Sequence, residues 1–173
     1  GFERLLSMNT GAEGVETAIK ISRKWGYLKK GVPENQAQIV VCNNNFHGRT
    51  TTIISFSTDP DTKAHFGPHT SGFTHIPYDD LEALKQTLES NPNIVGFLVE
   101  PIQGEAGVYT PGKDFIKGAR ALCSLHNVLL ITDEIQTGIG RTGSLLAVCG
   151  DCTCDDACEQ QPATYIRPDI LIL

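Results

Sequence analysis

The uninterrupted apolar runs of this chain constrain its fold more than any other feature of the sequence. The runs QIVVC (38–42), IVGFLV (94–99) and VLLIT (128–132) lack the alternation of a strand that has one face in water. Segments with helical spacing separate them, above all DDLEALKQTLES (79–90) and KDFIKGARALCSLHN (113–127). This order predicts repeated βαβ units, and therefore an α/β fold with a mostly parallel sheet and helices on both faces.

Weaker signals predict the remaining elements. A helix is expected after the glycine turn at Gly11 and is expected to end near Gly31. We also predict a strand at THIPY (74–78) and a short helix in the Thr/Ile/Ser stretch that follows NNNFHGRT. The final residues PDILIL (168–173) have the pattern of a buried strand without a following turn, and we expect the chain to be a piece of a longer protein.

The net charge and the length of the apolar runs exclude two kinds of binding partner. The 173 residues carry a net charge of −6 and show no stripe of Lys and Arg, which argues against nucleic acid or an anionic membrane as the main partner. The apolar runs are too short to span a bilayer, so we expect no membrane segment. A small molecule or a protein is the expected partner.

In parallel sheets, ligands bind beyond the carboxyl ends of the strands, so the loops at those ends are the candidate site. Gly11 and Ala12 open a helix whose N–H groups suit a phosphate, although the motif by itself is more typical of a plain glycine turn. Asp133 ends an apolar strand, where it either pairs with a protonated ring nitrogen or caps the next turn. Phe46 is either a core residue or a flat face for a planar ring, and Arg49 is either a surface charge or a fork for a carboxylate.

Two glutamates and five histidines remain ambiguous at this level. Glu100 and Glu105 flank a turn that projects them to different places, and spacing does not reveal their partners. His65 and His69 have Gly67 and Pro68 between them, which argues against a helical metal pair. We expect the histidines to be loop residues.

The order of these motifs resembles a known family. MNTGAEGVETAIKISRKWGY, NNNFHGRT, FGPHTSGF, EPIQGEAGV, DEIQTGIGRTG and RPDILIL are similar to segments of the class III pyridoxal-phosphate-dependent aminotransferases, and within them of the ornithine aminotransferases. The resemblance covers residues 2–148 and resumes at Arg167. It implies the large domain of fold-type I enzymes, with residues 1–148 forming most of the domain that binds pyridoxal 5′-phosphate.

The resemblance implies a role for each matching residue. Gly11 and Ala12 would bind the cofactor phosphate through backbone N–H groups, and Phe46 would stack on the pyridine ring. Asp133 would pair with the ring nitrogen, and Gln136 would bind the ring hydroxyl.

Two further residues are implied to contact the substrates, L-ornithine and 2-oxoglutarate. Arg49 would anchor a substrate carboxylate, and Glu105 would act as a switch that pairs with a distal arginine while ornithine is bound. Asp133 and Glu105 are thus the expected catalytic residues. In the family the strand that matches residues 167–173 leads into the Schiff-base lysine, so we expect this chain alone to be inactive.

The resemblance also implies a homodimer, located in the cytoplasm or the mitochondrial matrix. Another class III aminotransferase, acting on acetylornithine or 4-aminobutyrate, would fit the same residues. A third alternative is a non-catalytic sensor that uses the same scaffold with a cysteine-rich loop.

The cysteine-rich segment at 149–166 has no counterpart in the family pattern. Cys149, Cys152, Cys154 and Cys158 place four thiols within ten residues, a spacing tighter than that of ordinary zinc sites. Metal ligation, a redox pair and a local disulfide are all possible uses. Because acidic neighbours disfavour thiolates, we expect an exposed redox-sensitive loop, with metal binding as the alternative.

Overall fold

The computed structural model describes residues 2–149 and 166–173, and its sheet has five strands: β1 (Gln38–Cys42), β2 (Phe73–Ile76), β3 (Ile94–Val99), β4 (Leu129–Asp133) and β5 (Ile170–Ile172). Their order across the sheet is β2-β1-β3-β4-β5. All four pairings between neighbouring strands are parallel, as the apolar runs predict. Every residue of β3, the central strand, is buried, which explains why its sequence does not alternate.

The predicted helices are confirmed. They are α1 (Gly11–Trp25), α2 (Thr51–Ser55), α4 (Leu81–Ser90) and α5 (Phe115–Leu125). A short helix α3 (Pro60–Lys63) and a 3-10 turn (Ala147–Cys149) have no clear sequence pattern and were not predicted. The first helix extends to Lys30, as predicted, but its last turn (Gly26–Lys30) is π-helical. The π-helical turn ends at Gly31, whose left-handed φ of 80° stops the helix.

Side-chain caps define where the helices begin. The Thr10 hydroxyl accepts a hydrogen bond from the N–H of Glu13, and the Asp80 carboxylate accepts one from the N–H of Ala83. Each cap satisfies a donor that has no partner within its helix. The start of α1 is thereby fixed immediately beside the carboxyl ends of the strands.

Helices cover both faces of the sheet, as predicted. On one face Val15 and Ile19 of α1 pack with Ile53 and the buried faces of the strands. On the other face Leu84 and Leu88 of α4 pack with residues of α5. Burial of one large aliphatic side chain stabilises the folded state by roughly 1.5–3 kcal/mol. The helix layers on the two faces therefore both stabilise the sheet.

The strand order changes direction between β1 and β3, because the chain builds outward on one side to β2 and then on the other to β5. Ligands of open α/β sheets bind in the crevice at such a switch point. The loops after β1, β3 and β4 therefore meet at one edge. Among the described residues, no helix has the length and apolar character needed to cross a membrane.

Candidate functional site

A cleft of about 390 Å³ lies at the carboxyl ends of β1, β3 and β4. Its lining contains Gly11, Ala12, Phe46, Glu105, Asp133 and Gln136, together with His47, Gly48, Glu100, Ile102 and Ile135. The structure thus brings together six of the seven residues that the sequence places in the site. Arg49 lies outside this lining, next to Phe46.

The beginning of α1 forms one wall of the cleft. Gly11 and Ala12 lie in its first turn, where helix N–H groups point outward and the helix dipole is positive. The loop after β1 approaches this turn closely at Gly48, which has a φ of +120°. A Cβ at Gly48 would lie 2.8 Å from the Cβ of Ala12, so only glycine permits the approach. This wall can bind an anion such as a phosphate.

Asp133 forms the floor, and it has a protein partner that the sequence did not reveal. Its Oδ2 lies 2.7 Å from Nδ1 of His47, and its Oδ1 accepts a hydrogen bond of 3.2 Å from the N–H of Ile135. The second contact caps the next turn, which was one of the two interpretations of this residue. A carboxylate with two oxygens accepts up to about four hydrogen bonds, so capacity remains for a donor in the cleft.

His47 is a loop residue, as expected, although it is buried. His75 departs from the expectation because it lies in β2. The exposed fraction of His47 is 3%, and its ring lies 5.9 Å from that of Phe56. Nδ1 contacts Asp133, whereas Nε2 is buried without a hydrogen-bond partner in the described structure. Burial beside a carboxylate holds the ring in one orientation and directs one nitrogen at Asp133.

Phe46 lines the cleft from the loop after β1. Its side chain is 37% exposed, which excludes the alternative that it is a core residue. The guanidinium carbon of Arg49 lies 5.6 Å from the centre of the Phe46 ring, within the range of a cation–π contact. Arg49 itself is exposed at the rim, where it can reach a carboxylate that enters the cleft.

The two glutamates of the β3 loop have different environments. Glu100 is 7% exposed, and its Oε1 accepts a hydrogen bond of 3.0 Å from the N–H of Phe46. Glu105 is exposed at the tip of a small loop closed by the bridge between Gln103 and Tyr109. One glutamate is therefore part of the cleft wall, and the other is accessible at its mouth.

Gln136 packs against the backbone of the same loop. A Cβ on Gly104 would overlap the side-chain amide of Gln136, so a glycine is required for the amide to lie there. Gln136 presents a donor and an acceptor in the cleft. The glycine of EPIQGEAG is the sequence signal for this contact, because it indicates a close approach to the backbone at Gly104. Spacing alone does not show that the approaching residue is Gln136.

The groups that line the cleft match a flat, anionic ring compound. A helix N-terminus suits its phosphate, Phe46 offers a stacking face, and Asp133 offers an acceptor for a protonated ring nitrogen. The amide of Gln136 offers a partner for a ring hydroxyl. Pyridoxal phosphate has each of these groups, so the residues present fit it.

The cysteine-rich segment falls mostly outside the described residues. Cys149 ends the 3-10 turn and packs against the apolar cluster of α4 and α5. Cys152, Cys154 and Cys158 lie in the part that the structure does not describe. Within residues 2–149 and 166–173, no group of three or more His, Cys, Asp or Glu is arranged to hold a metal ion. The redox and metal interpretations both stay predictions.

Comparisons with known proteins address the family of the chain. A family model described as aminotransferase class-III matches residues 1–157. The mitochondrial ornithine aminotransferase of Drosophila melanogaster is 51% identical over the whole of this chain, which covers 37% of that relative.

Solved structures match as well. The ornithine aminotransferase of Toxoplasma gondii superposes with a TM-score of 0.80 at 54% identity, over 82% of this chain and 33% of its own. An acetylornithine aminotransferase of Elizabethkingia anophelis matches with a TM-score of 0.70 at 55% identity, over 95% of this chain and 36% of its own.

The chain spans between 35% and 37% of the length of the curated relatives named ornithine aminotransferase that it matches. The family model, in contrast, covers most of the chain. The fold and the family resemblance predicted from the motifs are both confirmed. The chain belongs to the class-III aminotransferase family.

Proposed function

We propose that this chain is the main part of the cofactor domain of an ornithine aminotransferase. The enzyme would transfer the δ-amino group of L-ornithine to 2-oxoglutarate and form glutamate semialdehyde and glutamate. The observation that carries the proposal is the convergence of Gly11, Phe46, Asp133 and Gln136 on one cleft at the switch point of the sheet.

Pyridoxal phosphate is the proposed cofactor, and when bound it supplies an electron-withdrawing ring that stabilises negative charge on the substrate carbon. Gly11 and Ala12 would hold its phosphate, and Phe46 would support one face of the ring. Asp133 would accept a hydrogen bond from the ring nitrogen and keep it protonated. His47 supports this role because its contact of 2.7 Å fixes the direction of the Asp133 carboxylate.

Substrate binding falls to the rim of the cleft. Arg49 is exposed beside Phe46 and can form a bidentate pair with the carboxylate of either substrate. Glu105 is exposed at the loop tip and can attract the cationic groups of ornithine. We propose that Glu105 pairs with an arginine elsewhere in the protein while ornithine is bound and releases it when 2-oxoglutarate binds.

Because the curated relatives are more than twice as long as this chain, we propose that other parts of the protein complete the site. They would supply the lysine that binds the cofactor, and a second copy of the protein would form a homodimer. The proposed division is 1–148 for the cofactor domain, 149–166 for the cysteine-rich insertion and 167–173 for the strand before the lysine. Within the last segment, Ile170–Ile172 form β5, which pairs with β4.

The proposed location is the mitochondrial matrix or the cytoplasm. One relative carries the word mitochondrial in its name, which supports the first. Imaging of the tagged full-length protein would decide between them.

Substrate profiling of the full-length protein tests the function. We expect it to bind pyridoxal phosphate and to turn over ornithine with 2-oxoglutarate faster than acetylornithine or 4-aminobutyrate. The similarity to an acetylornithine aminotransferase makes acetylornithine the most stringent competitor. Faster turnover of that substrate would contradict the specific assignment. A protein that binds the cofactor but turns over none of the three amino donors would favour the sensor alternative.

A further inference from the structure

The protonation of Glu100 has no role in the function proposed above. The carboxyl group lies at the end of β3, in the lining of the cleft and largely out of water. Its backbone is held in place, because the Tyr78 hydroxyl contacts the carbonyl oxygens of Glu100 and Pro101 at 3.0 and 2.9 Å. A buried carboxyl group fixed in this way is costly to ionise, so its protonation state depends on its neighbours.

Glu100 contacts Phe46 directly and is linked to Asp133 through His47. Its Oε1 accepts the hydrogen bond from the Phe46 N–H, and the same oxygen lies 4.0 Å from Nε2 of His47. His47 in turn contacts Asp133 through Nδ1. A chain of three side chains, Glu100, His47 and Asp133, therefore runs beneath the cleft, and Nε2 has no other partner within the described residues.

The groups around Glu100 are mostly acids. Asp133 of β4 and Glu105 of the loop raise its pKa, and the Cys42 thiol of β1 and the Tyr78 hydroxyl after β2 also interact with it electrostatically. Burial is the largest influence and raises the pKa of Glu100 to about 7, against the lowering effect of His47 and of the Phe46 N–H. Glu100 consequently changes charge near neutral pH.

We propose that Glu100 is a positioning residue whose loss of a proton, transmitted through His47 and Asp133, strengthens the binding of the cofactor ring. This inference rests on the proposed function. A protonated ring nitrogen on Asp133 is a positive charge, and it favours the ionised form of Glu100. Binding therefore releases a proton from Glu100, and by linkage the affinity rises as the pH increases through the range in which Glu100 titrates.

The test uses pyridoxamine 5′-phosphate, which has the same ring and phosphate but forms no covalent bond with a lysine. Its Kd for the full-length apoprotein is measured by calorimetry at pH 6 and pH 8. We expect the Kd at pH 6 divided by the Kd at pH 8 to be about threefold larger in the wild type than in Glu100→Gln. Glutamine keeps an acceptor for the Phe46 N–H but does not ionise. Glu89→Gln, an exposed change on α4, is the matched control and should retain the wild-type ratio.

Equal ratios in the wild type and Glu100→Gln would overturn the inference. If the wild type does not bind pyridoxamine phosphate at any pH, the proposed function itself fails. The two failures are thereby distinguishable, since the first requires a wild type that binds.

A second variant keeps the inference testable if Glu100→Gln does not fold. His47→Asn retains a donor toward Asp133 but removes the imidazole that lowers the pKa of Glu100. The pH at which the affinity changes should therefore move upward, and the change should be smaller, because the link from Glu100 to Asp133 through His47 is lost. An unchanged midpoint in His47→Asn would contradict the inference.

Discussion

Asp133 and Glu134 are consecutive buried carboxylates whose surroundings differ completely. Asp133 accepts one backbone N–H and contacts one side chain, and it faces the cleft. Glu134 is 1% exposed and accepts hydrogen bonds from the Thr137 hydroxyl and from the N–H groups of Ala147 and Val148, at 2.6 to 2.9 Å. The first carboxylate has capacity left for a ligand, whereas the second is used by the protein itself.

This difference explains how one strand end serves two purposes. Because successive side chains of a strand point to opposite sides, the order Asp-Glu directs one carboxylate into the cleft and the other into the loop behind it. Glu134 ties residues 147 and 148 to the end of β4. We expect loss of function from changes at Asp133 and loss of stability from changes at Glu134.

Asp133→Asn should have the largest effect. Asparagine accepts a hydrogen bond but carries no charge to keep a ring nitrogen protonated, so kcat/KM of the full-length enzyme should fall by about a thousandfold. The thermal unfolding temperature should change little, because the amide oxygen can still accept the N–H of Ile135. Steady-state kinetics and calorimetry measure the two effects. A stable variant with near wild-type activity would mean that Asp133 does not bind the ring.

Glu100 should give the stability of the protein a specific dependence on pH. Its pKa is about 7 in the folded state and near 4.5 in the unfolded chain, so the folded state binds the proton more tightly. The stabilisation is present below pH 4.5 and is lost as the pH rises toward 7, with a fall in unfolding free energy of up to about 3 kcal/mol.

Thermal unfolding of the apoprotein between pH 4.5 and 8 measures this dependence. Glu100→Gln should lack this part of the pH dependence, and Glu89→Gln should retain it. Parallel pH curves for the wild type and Glu100→Gln would show that Glu100 has an ordinary pKa.

Glu134→Gln should lower the free energy of unfolding by about 2 kcal/mol. Both carboxylate oxygens of Glu134 accept hydrogen bonds, and in the variant an NH₂ group replaces one of these acceptors and faces another donor. Denaturant unfolding of the full-length protein, with Glu89→Gln as the exposed control, measures the loss. The activity of the folded variant should stay close to that of the wild type. If the variant is stable but inactive, the assignment of Glu134 to structure is wrong.

Gly104→Ala should reduce kcat/KM by about tenfold, since the added methyl group would displace the amide of Gln136 from the cleft. Gly112→Ala is a suitable control, because its Cβ would make only ordinary contacts with the Asp79 carboxylate. Unchanged kinetics in both variants would exclude a positional role for Gln136.

Cys152→Ser should have the smallest effect, a change in kcat/KM of less than about twofold, because the Cys-rich segment has no proposed role in the chemistry. The loss of kcat/KM in Cys152→Ser should be compared with the loss in Asp133→Asn. Similar losses in the two variants would assign the segment to the catalytic machinery.

The fold could be predicted from the sequence to a large extent, and for a simple reason. Strands buried on both faces leave a continuous apolar run, and amphipathic helices such as α4 leave a clear spacing. The short helix α3 has no buried residue, so no pattern indicates it. The π-helical turn after Trp25 depends on local hydrogen bonding that composition does not reveal.

The site was predictable in its parts but not in its contacts. Motif order indicated which loops meet, because the carboxyl ends of parallel strands share one edge. The pairing of His47 with Asp133 joins residues 86 positions apart and depends on the order of the strands. The separation of Glu100 from Glu105 likewise depends on the small loop closed at Gln103.

The central claim is that Asp133 and Phe46 hold the same ring. A crystal structure of the full-length protein with pyridoxal phosphate tests it most directly. We predict the ring nitrogen within about 3 Å of an Asp133 oxygen and the Phe46 ring against one face of the cofactor. A cofactor bound elsewhere, or one whose ring nitrogen faces a group other than Asp133, would contradict it.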